Sequence, residues 1–519
     1  MRFSVWAPLA RRVELQLGGE RREMAGAGGG WWEVDADAAP GADYGFRLDG
    51  ADPLPDPRSR WQPHGVHGLS RVVDHGAFRW TDGGWRGVRL ADAVIYELHV
   101  GTFTPAGTFA SAIERVDHLV GLGVNAVELM PVAESSGERG WGYDGVDLWA
   151  PRQAYGGPDG LKALVDACHA RGLAVLLDVV YNHLGAEGDY LGRFGPYVTD
   201  RHRTPWGGAV HFDGPDSRPV REFVIENALA WLRDYHLDGL RLDAVHTIVD
   251  GSRPHVLEEL ATRVHALEPR RLLIAEQPRL DPALLAMGLD GQWADDVHHS
   301  LHVLLTGERQ SYYAPYGSVA NLARALLEPS RAGVDAARVV AFAQNHDQVG
   351  NRAAGERLSQ LVDVDRLRLA AAVVACSPMT PMLFMGEEWG AGTPFQFFSD
   401  HRDPRIARAT SRGRMREFEA FGWRPEDVPD PQAPATFERS RLDWSELDGE
   451  PHRGLLRWHR RLLALRRETP ELRSGGPLRV EHDEAARTLV MVNGPVRVAC
   501  DFATGRVAVE KLGKPLYWE

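Results

Sequence analysis

The residues able to do chemistry gather at the ends of four short apolar runs. "DVVYNH" (178–183) carries Asp178, Asn182 and His183. "GLRLDAV" (239–245) carries Arg241 and Asp243, and "RLLIAEQ" (271–277) carries Glu276. "RVVAFAQNHD" (338–347) ends in Asn345, His346 and Asp347. Singly, each has an ordinary explanation: Asp and Glu after a strand cap the next helix, and a lone His is more often structural. Together, three carboxylates (Asp243, Glu276, Asp347) with an arginine and two histidines are equipment for acid–base or glycosyl-transfer chemistry. Two carboxylates with different parts to play need different environments. Arg241 shares a strand face with Asp243, and a nearby cation favours the ionised form and lowers the pKa. Asp243 is therefore the expected nucleophile. Glu276 has only apolar residues and Gln277 beside it in sequence and is the expected acid, with a raised pKa. A metal site is the competing reading of such a cluster. The chain has no HExxH and no EF-hand loop, so neither a metal nor another cofactor is expected.

These side chains need a frame. In 239–245, Leu240, Leu242 and Ala244 alternate with Arg241, Asp243 and Val245, the period of a β-strand. Seven further runs read as strands: "AVIYELHV" (93–100), "AVELMPV" (126–132), "AVLLDVV" (174–180), "RLLIAEQ" (271–277), "GQWADDV" (291–297), "RVVAFAQNHD" (338–347) and "MLFMGEE" (382–388). Between them lie stretches with i, i+3, i+4 apolar spacing, among them "FASAIERVDHLVGLG" (109–123), "GLKALVDACHARG" (160–172) and "REFVIENALAWLRDYH" (221–236). Eight strands, each followed by a helical pattern, predict an α/β fold of the (β/α)₈ TIM-barrel type. Such barrels carry their reactive residues at the C-terminal strand ends, where these lie. The leucines of 239–245 would then face the helices, and Arg241 and Asp243 the barrel interior. Gly- and aromatic-rich loops at 137–160 and 181–217 follow the second and third strands, and ordered loops of that length are usually functional.

The flanks read differently. Residues 1–85 hold short alternating runs ("FSVWAP", "RVELQL", "WWEVDAD", "DYGFRLDG") and predict an N-terminal β-sandwich of carbohydrate-binding-like type. The catalytic barrel is expected over 86–473, ending in an amphipathic helix at 454–472. A small C-terminal β domain is expected over 474–519.

With 519 residues the chain is too long for one ordinary domain. Its net charge of −13 argues against nucleic acid or an anionic membrane as partner. Cys168, Cys376 and Cys500 are odd in number and far apart, so disulfides and zinc are not expected and a reducing cytoplasm is. There is no signal-peptide pattern and no apolar run long enough to span a membrane. Its 16 tryptophans are expected mostly in the core, though flat rings also suit the apolar faces of sugars.

The four runs that carry the polar residues, taken in order, resemble the four short motifs of the α-amylase superfamily of glycoside hydrolases: "DVVYNH", "GLRLDAVHT", "LIAEQ" and "AQNHD". The resemblance implies roles. Asp243 matches the catalytic nucleophile, Glu276 the general acid/base, and Asp347 the third carboxylate that binds sugar hydroxyls at the cleavage subsite. Arg241 matches the arginine that holds the nucleophile, His183 and His346 the two sugar-binding histidines, and Tyr143 in "GWGYDGV" the tyrosine stacked on that sugar. Asp178 and Asn182 resemble supporting residues. The family works with retention, through a covalent glycosyl-enzyme. Glu276 is followed by Gln277-Pro278 where the family pattern has Ser-Asp, a departure that bears on contacts near the acid. The loop after the third strand is about 35 residues long, too short for the calcium-binding insertion of several amylases.

"FSVWAP" is shared with glycogen branching and debranching enzymes. Longer stretches, such as "LPDPRSRWQPHGVHG" (54–68), "ERGWGYDGV" (138–146), "HSLHVLLTGER" (299–309) and "QNHDQVGNRAAGERL" (344–358), are more similar to the maltooligosyltrehalose trehalohydrolase family. That likeness implies cleavage of the α-1,4 bond next to a terminal α,α-trehalose, after a maltooligosyltrehalose synthase, with no stable protein partner. A branching or debranching enzyme is the alternative. A catalytically dead glucan-binding protein would lack one of the three carboxylates, and all three are present.

Overall fold

The computed structural model describes residues 1–419, 423–424, 427–473 and 477–516. At its centre eight parallel strands close into a barrel in sequence order. They are β1 (Ile95–Leu98), β2 (Ala126–Leu129), β3 (Ala174–Val179), β4 (Gly239–Leu242), β5 (Leu272–Ala275), β6 (Gly291–Trp293), β7 (Val339–Phe342) and β8 (Thr380–Phe384). Seven of them fall inside the runs read from the sequence, and β8 starts two residues before its run (382–388), at Thr380. β8 closes on β1, with Phe384 opposite Glu97.

The period of two divides every strand between two cores. Val127, Val175, Leu177, Leu240 and Leu242 join the large cluster shared with the surrounding helices. Ile95, Leu176, Ile274, Trp293, Phe342 and Met382 form a separate cluster that fills the lower barrel. One step of two residues further along, the inward positions carry Glu97, Glu128, Asp178, Arg241 and Glu276 instead. The strand phase that buries the leucines outside thus sends the charges inside.

The helices follow the expected periodicity, with two adjustments. The stretch 109–123 forms two short helices, Phe109–Ile113 and Val116–Leu122, because Arg115 between them has ψ 0° and breaks the ladder. The loop expected over 137–160 ends early: Gly157 opens the helix Gly157–Ala170, with Pro158 in its first turn where a missing N–H costs nothing. The loop 181–217 is partly ordered as the short helix Leu191–Phe194 and the hairpin Val198–Thr204 with Gly207–Val210.

At the N-terminus a three-stranded and a four-stranded antiparallel sheet lie between Arg2 and Arg71. Phe3 of one packs edge-on against Tyr44 of the other, ring centroids 5.0 Å apart, so the sheets face each other as a sandwich. Trp6 reaches Tyr197, on the loop after β3. At the C-terminus five antiparallel strands run from Leu478 to Pro515. They are tied to the barrel where Asn493 donates to the Cys376 carbonyl and where Glu484 accepts from the backbone of Val319 and Ala320. Residues 474–476 and 517–519 of the expected C-terminal domain lie outside the described residues. The three cysteines are buried and unpaired. Among the described residues no helix is long and apolar enough to cross a membrane.

Candidate active site

Arg241 is the hub of the site. It is 1% exposed, on the inward side of β4, with its guanidinium 4.2 Å over the ring of Trp293 from β6. A buried guanidinium must be paired, and this one is paired three ways. Its Nη1 donates to Asp178 Oδ2 at 2.7 Å and to Asp243 Oδ1 at 2.8 Å. Its Nη2 lies 3.0 Å from Glu276 Oε2. One cation therefore ties together carboxylates from the ends of β3, β4 and β5.

This corrects the expectation that the cation serves Asp243 alone. Arg241 is opposite Ile274 in the parallel β4–β5 register, which puts Glu276, two residues on, within reach of the same fork. The expected lowering of the Asp243 pKa is corrected too: burial is the largest influence and raises it, with Arg241 pulling the other way. Glu276 is raised, as expected, again chiefly by burial and against Arg241. Charges this close titrate as a group.

What separates the two carboxylates is their remaining partners. Asp243 Oδ2 accepts from Asn182 Nδ2 at 3.0 Å, so both its oxygens are held. Glu276 Oε2 accepts from the Ala244 amide at 2.6 Å, while Oε1 has no hydrogen-bond partner among the described residues. Ala244 has φ 38° and ψ 51°, a left-handed conformation that is unusual for alanine and is found where the surroundings over-determine the backbone. Here it aims the N–H of the residue after Asp243 at Glu276.

A second group surrounds Tyr143. Its hydroxyl lies 2.5 Å from Asp178 Oδ2 and 2.8 Å from His346 Nε2, and its ring stacks on that imidazole. The chain reaches this position through Gly142, at φ 100°, where an added Cβ would stand 2.2 Å from the Pro131 carbonyl oxygen. His346 is held from below by Glu97 of β1, which accepts from its backbone N–H at 2.9 Å and meets its Nδ1. Asp347 accepts from Asn351 at 2.6 Å. His183 places its ring nitrogens 2.9 Å from Asn182 Oδ1 and 2.9 Å from the Tyr143 carbonyl, and burial lowers its pKa. Its ring stacks flat on Trp206, from the turn of the hairpin after β3.

The result is a cleft of about 560 Å³ at the C-terminal mouth of the barrel. Tyr143, His183, Arg241, Asp243, Glu276, His346 and Asp347 line it, and Asp178 and Asn182 lie beneath, bonded to its floor. All nine residues singled out from the sequence are therefore in one place. Sequence reasoning missed Glu97, Trp206 and Trp293. Glu97 was legible: it is two residues beyond Ile95, in the inward phase of a recognised strand. Trp206 was not, because no local pattern tells which loop aromatic folds back over the mouth. Among the described residues no cluster of three His, Cys, Asp or Glu is arranged to hold a metal ion.

Residues 77–202 match the alpha-amylase catalytic-domain family. A malto-oligosyltrehalose trehalohydrolase of Arthrobacter ramosus is 50% identical, covering 99% of this chain and 94% of its own. One from Rhizobium sp. (strain M-11) is 47% identical, covering 99% and 93%. A 1,4-alpha-glucan branching enzyme of Corynebacterium jeikeium is 29% identical over 75% of this chain and 60% of its own. Among solved structures, a candidate alpha amylase from Salmonella typhimurium superposes with a TM-score of 0.88 at 40% identity, covering 98% of this chain and 91% of that one. A barrel mouth of this make, carried on a sequence shared nearly end to end with these relatives, places the protein: the chain belongs to the malto-oligosyltrehalose trehalohydrolase family within the alpha-amylase superfamily.

Proposed function

We propose that the protein hydrolyses the α-1,4-glucosidic bond next to the terminal α,α-trehalose of maltooligosyltrehalose, releasing trehalose with retention. Asp243 attacks the anomeric carbon as the bond to the leaving trehalose oxygen breaks, and Glu276 gives that oxygen its proton. A solvent water then gives a proton to Glu276 and its oxygen to the anomeric carbon, and the ester to Asp243 is released. The observation that carries this is the shared guanidinium. Arg241 touches both carboxyl groups, which favours the short separation of retaining glycosidases, about 5–5.5 Å, over the wider gap of inverting ones. With both oxygens of Asp243 held and Oε1 of Glu276 open, the first is fixed as an aimed nucleophile and the second is free to present a proton.

Asp347, His183 and His346 are assigned to the hydroxyls of the sugar at the cleavage point, Tyr143 to its apolar face, and Asp178 and Asn182 to support. Trp293 is added as the ring on which Arg241 rests. The substrate places the protein after a maltooligosyltrehalose synthase. The unpaired, buried cysteines suit a reducing cytoplasm.

Maltotriosyl-trehalose and maltopentaose offered in parallel test the reading. Fast trehalose release from the first, with the new reducing end initially in the α configuration, and slow attack on the second are expected. A β product would refute retention, and new α-1,6 links would indicate a branching enzyme.

A further inference from the structure

We infer that Glu97, on β1, is a positioning residue that holds His346 as an imidazolium at the mouth of the barrel. The inference rests on the role proposed above for His346 at the sugar. Glu97 is 1% exposed and uses both carboxylate oxygens on His346: one accepts its backbone N–H, the other meets Nδ1.

The protons in this chain of contacts can be counted. Tyr143 Oη carries one hydrogen and has two neighbours, Asp178 Oδ2 and His346 Nε2. Asp178 Oδ2 already accepts from Arg241, so it is an acceptor. Tyr143 therefore gives its hydrogen to Asp178, and its oxygen accepts from His346 Nε2–H. The proton at the other end of the ring lies either on Nδ1 or on Glu97. An imidazole is the more basic of the two by about two pK units in water. Glu97 is already an acceptor for the backbone N–H, and a carboxylate is the better acceptor for both bonds.

The charges facing the ring agree. Glu128, opposite Glu97 across the β1–β2 register, has no hydrogen-bond partner, and burial beside Glu97 raises its pKa well above the usual range. Glu128 is thus held toward its neutral form. His99, on the other side, is also neutral, since burial takes it down to about 3. Tyr143 is kept protonated by burial. Asp178, Asp243, Glu276 and Asp347 face the site from β3, β4, β5 and the turn after β7, with Arg241 as their other cation. A second buried positive charge offsets part of that excess, and Glu97 raises the pKa of His346 against its burial. An imidazolium is also a stronger hydrogen-bond donor to a sugar hydroxyl than a neutral ring.

The test reads the ring directly. In protein labelled with ¹⁵N-histidine, one imidazole absent from His346→Gln should keep both nitrogens protonated at pH 8. In Glu97→Gln, whose amide N–H donates to Nδ1, that ring should become the neutral Nε2–H tautomer. kcat/KM on maltotriosyl-trehalose should then fall about 10- to 100-fold, the weight of one hydrogen bond to a charged group. The same change added to His346→Gln should cost little more. A neutral His346 in the wild type at pH 8, or Glu97→Gln with unchanged kcat/KM, overturns the inference. If Glu97→Gln fails to fold, the wild-type ring titration decides alone. Failure of the wild type to release trehalose would instead count against the proposed function and leave the ring measurement standing.

Discussion

On β1, β3 and β5 a lower and an upper layer of the barrel interior lie on the same face, two residues apart. The lower layer is Ile95, Leu176, Ile274, Phe342 and Met382, buried and packed together. The upper layer carries Glu97, Glu128, Asp178, Arg241 and Glu276, all polar and, apart from Glu276, nearly as deeply buried. The lower layer is stabilised by removal of apolar surface from water, which is non-directional and tolerates exchange of one aliphatic for another. Charges in the upper layer lose hydration and recover it only through directed partners, so the paired members depend on one another, while Glu128 has no such partner. The same backbone step separates a layer that serves stability from one that gives up stability for a preorganised site.

Four experiments bear on that contrast. The largest effect is expected from Asp243→Asn, which should lower kcat on the order of 10⁴-fold or more while the melting temperature stays near that of the wild type. Normal turnover in this variant would mean that the carboxylate Arg241 holds is not the nucleophile, and would leave the upper layer without the catalytic group it positions. Arg241→Ala leaves Asp178, Asp243 and Glu276 buried without their common cation. It should destabilise the fold by about 3–5 kcal/mol in chemical denaturation, besides abolishing activity. Loss of activity alone would mean that the upper layer is better hydrated than its burial indicates.

Glu128→Leu acts in the opposite sense. Removing an unpaired buried carboxyl should stabilise the protein by about 1–3 kcal/mol at pH 8. The folded-state pKa of Glu128 is raised, so ionisation in the unfolded chain draws stability away as pH climbs above the ordinary glutamate value. Wild type and variant should therefore diverge in denaturation midpoint as pH rises from about 4.5 toward 8. Parallel curves would mean that Glu128 is not held neutral. Smallest is Ile274→Val in the lower layer, expected to cost about 0.5–1.5 kcal/mol with kcat unchanged. A large loss of kcat there would show the two layers to be mechanically coupled.

Much of the upper layer was legible because strand period and strand end coincide. Asp178, Arg241 and Glu276 sit where an inward phase meets a C-terminal end, and both facts are local. Glu97 obeys the same rule but stands inside "AVIYELHV", a run that reads as a plain core strand. The pairing of charges was not legible. From sequence, Arg241 had one neighbour, Asp243; in the barrel it gains Asp178 and Glu276 from flanking strands. The pKa of Asp243 was not legible for the same reason, since its burial depends on what the neighbouring strands and loops cover.

The sequence by itself determined the barrel, the face of each strand and the mouth at which the chemistry gathers. These follow from periods of two and 3.6 residues, which are properties of the local chain. Only the tertiary structure decided that one guanidinium would serve three carboxylates, that Ala244 would turn its N–H to Glu276, and that Trp206 would return from a hairpin to cover His183. Those are contacts between residues far apart in sequence, and they exist only once the barrel has closed and its loops have folded over it.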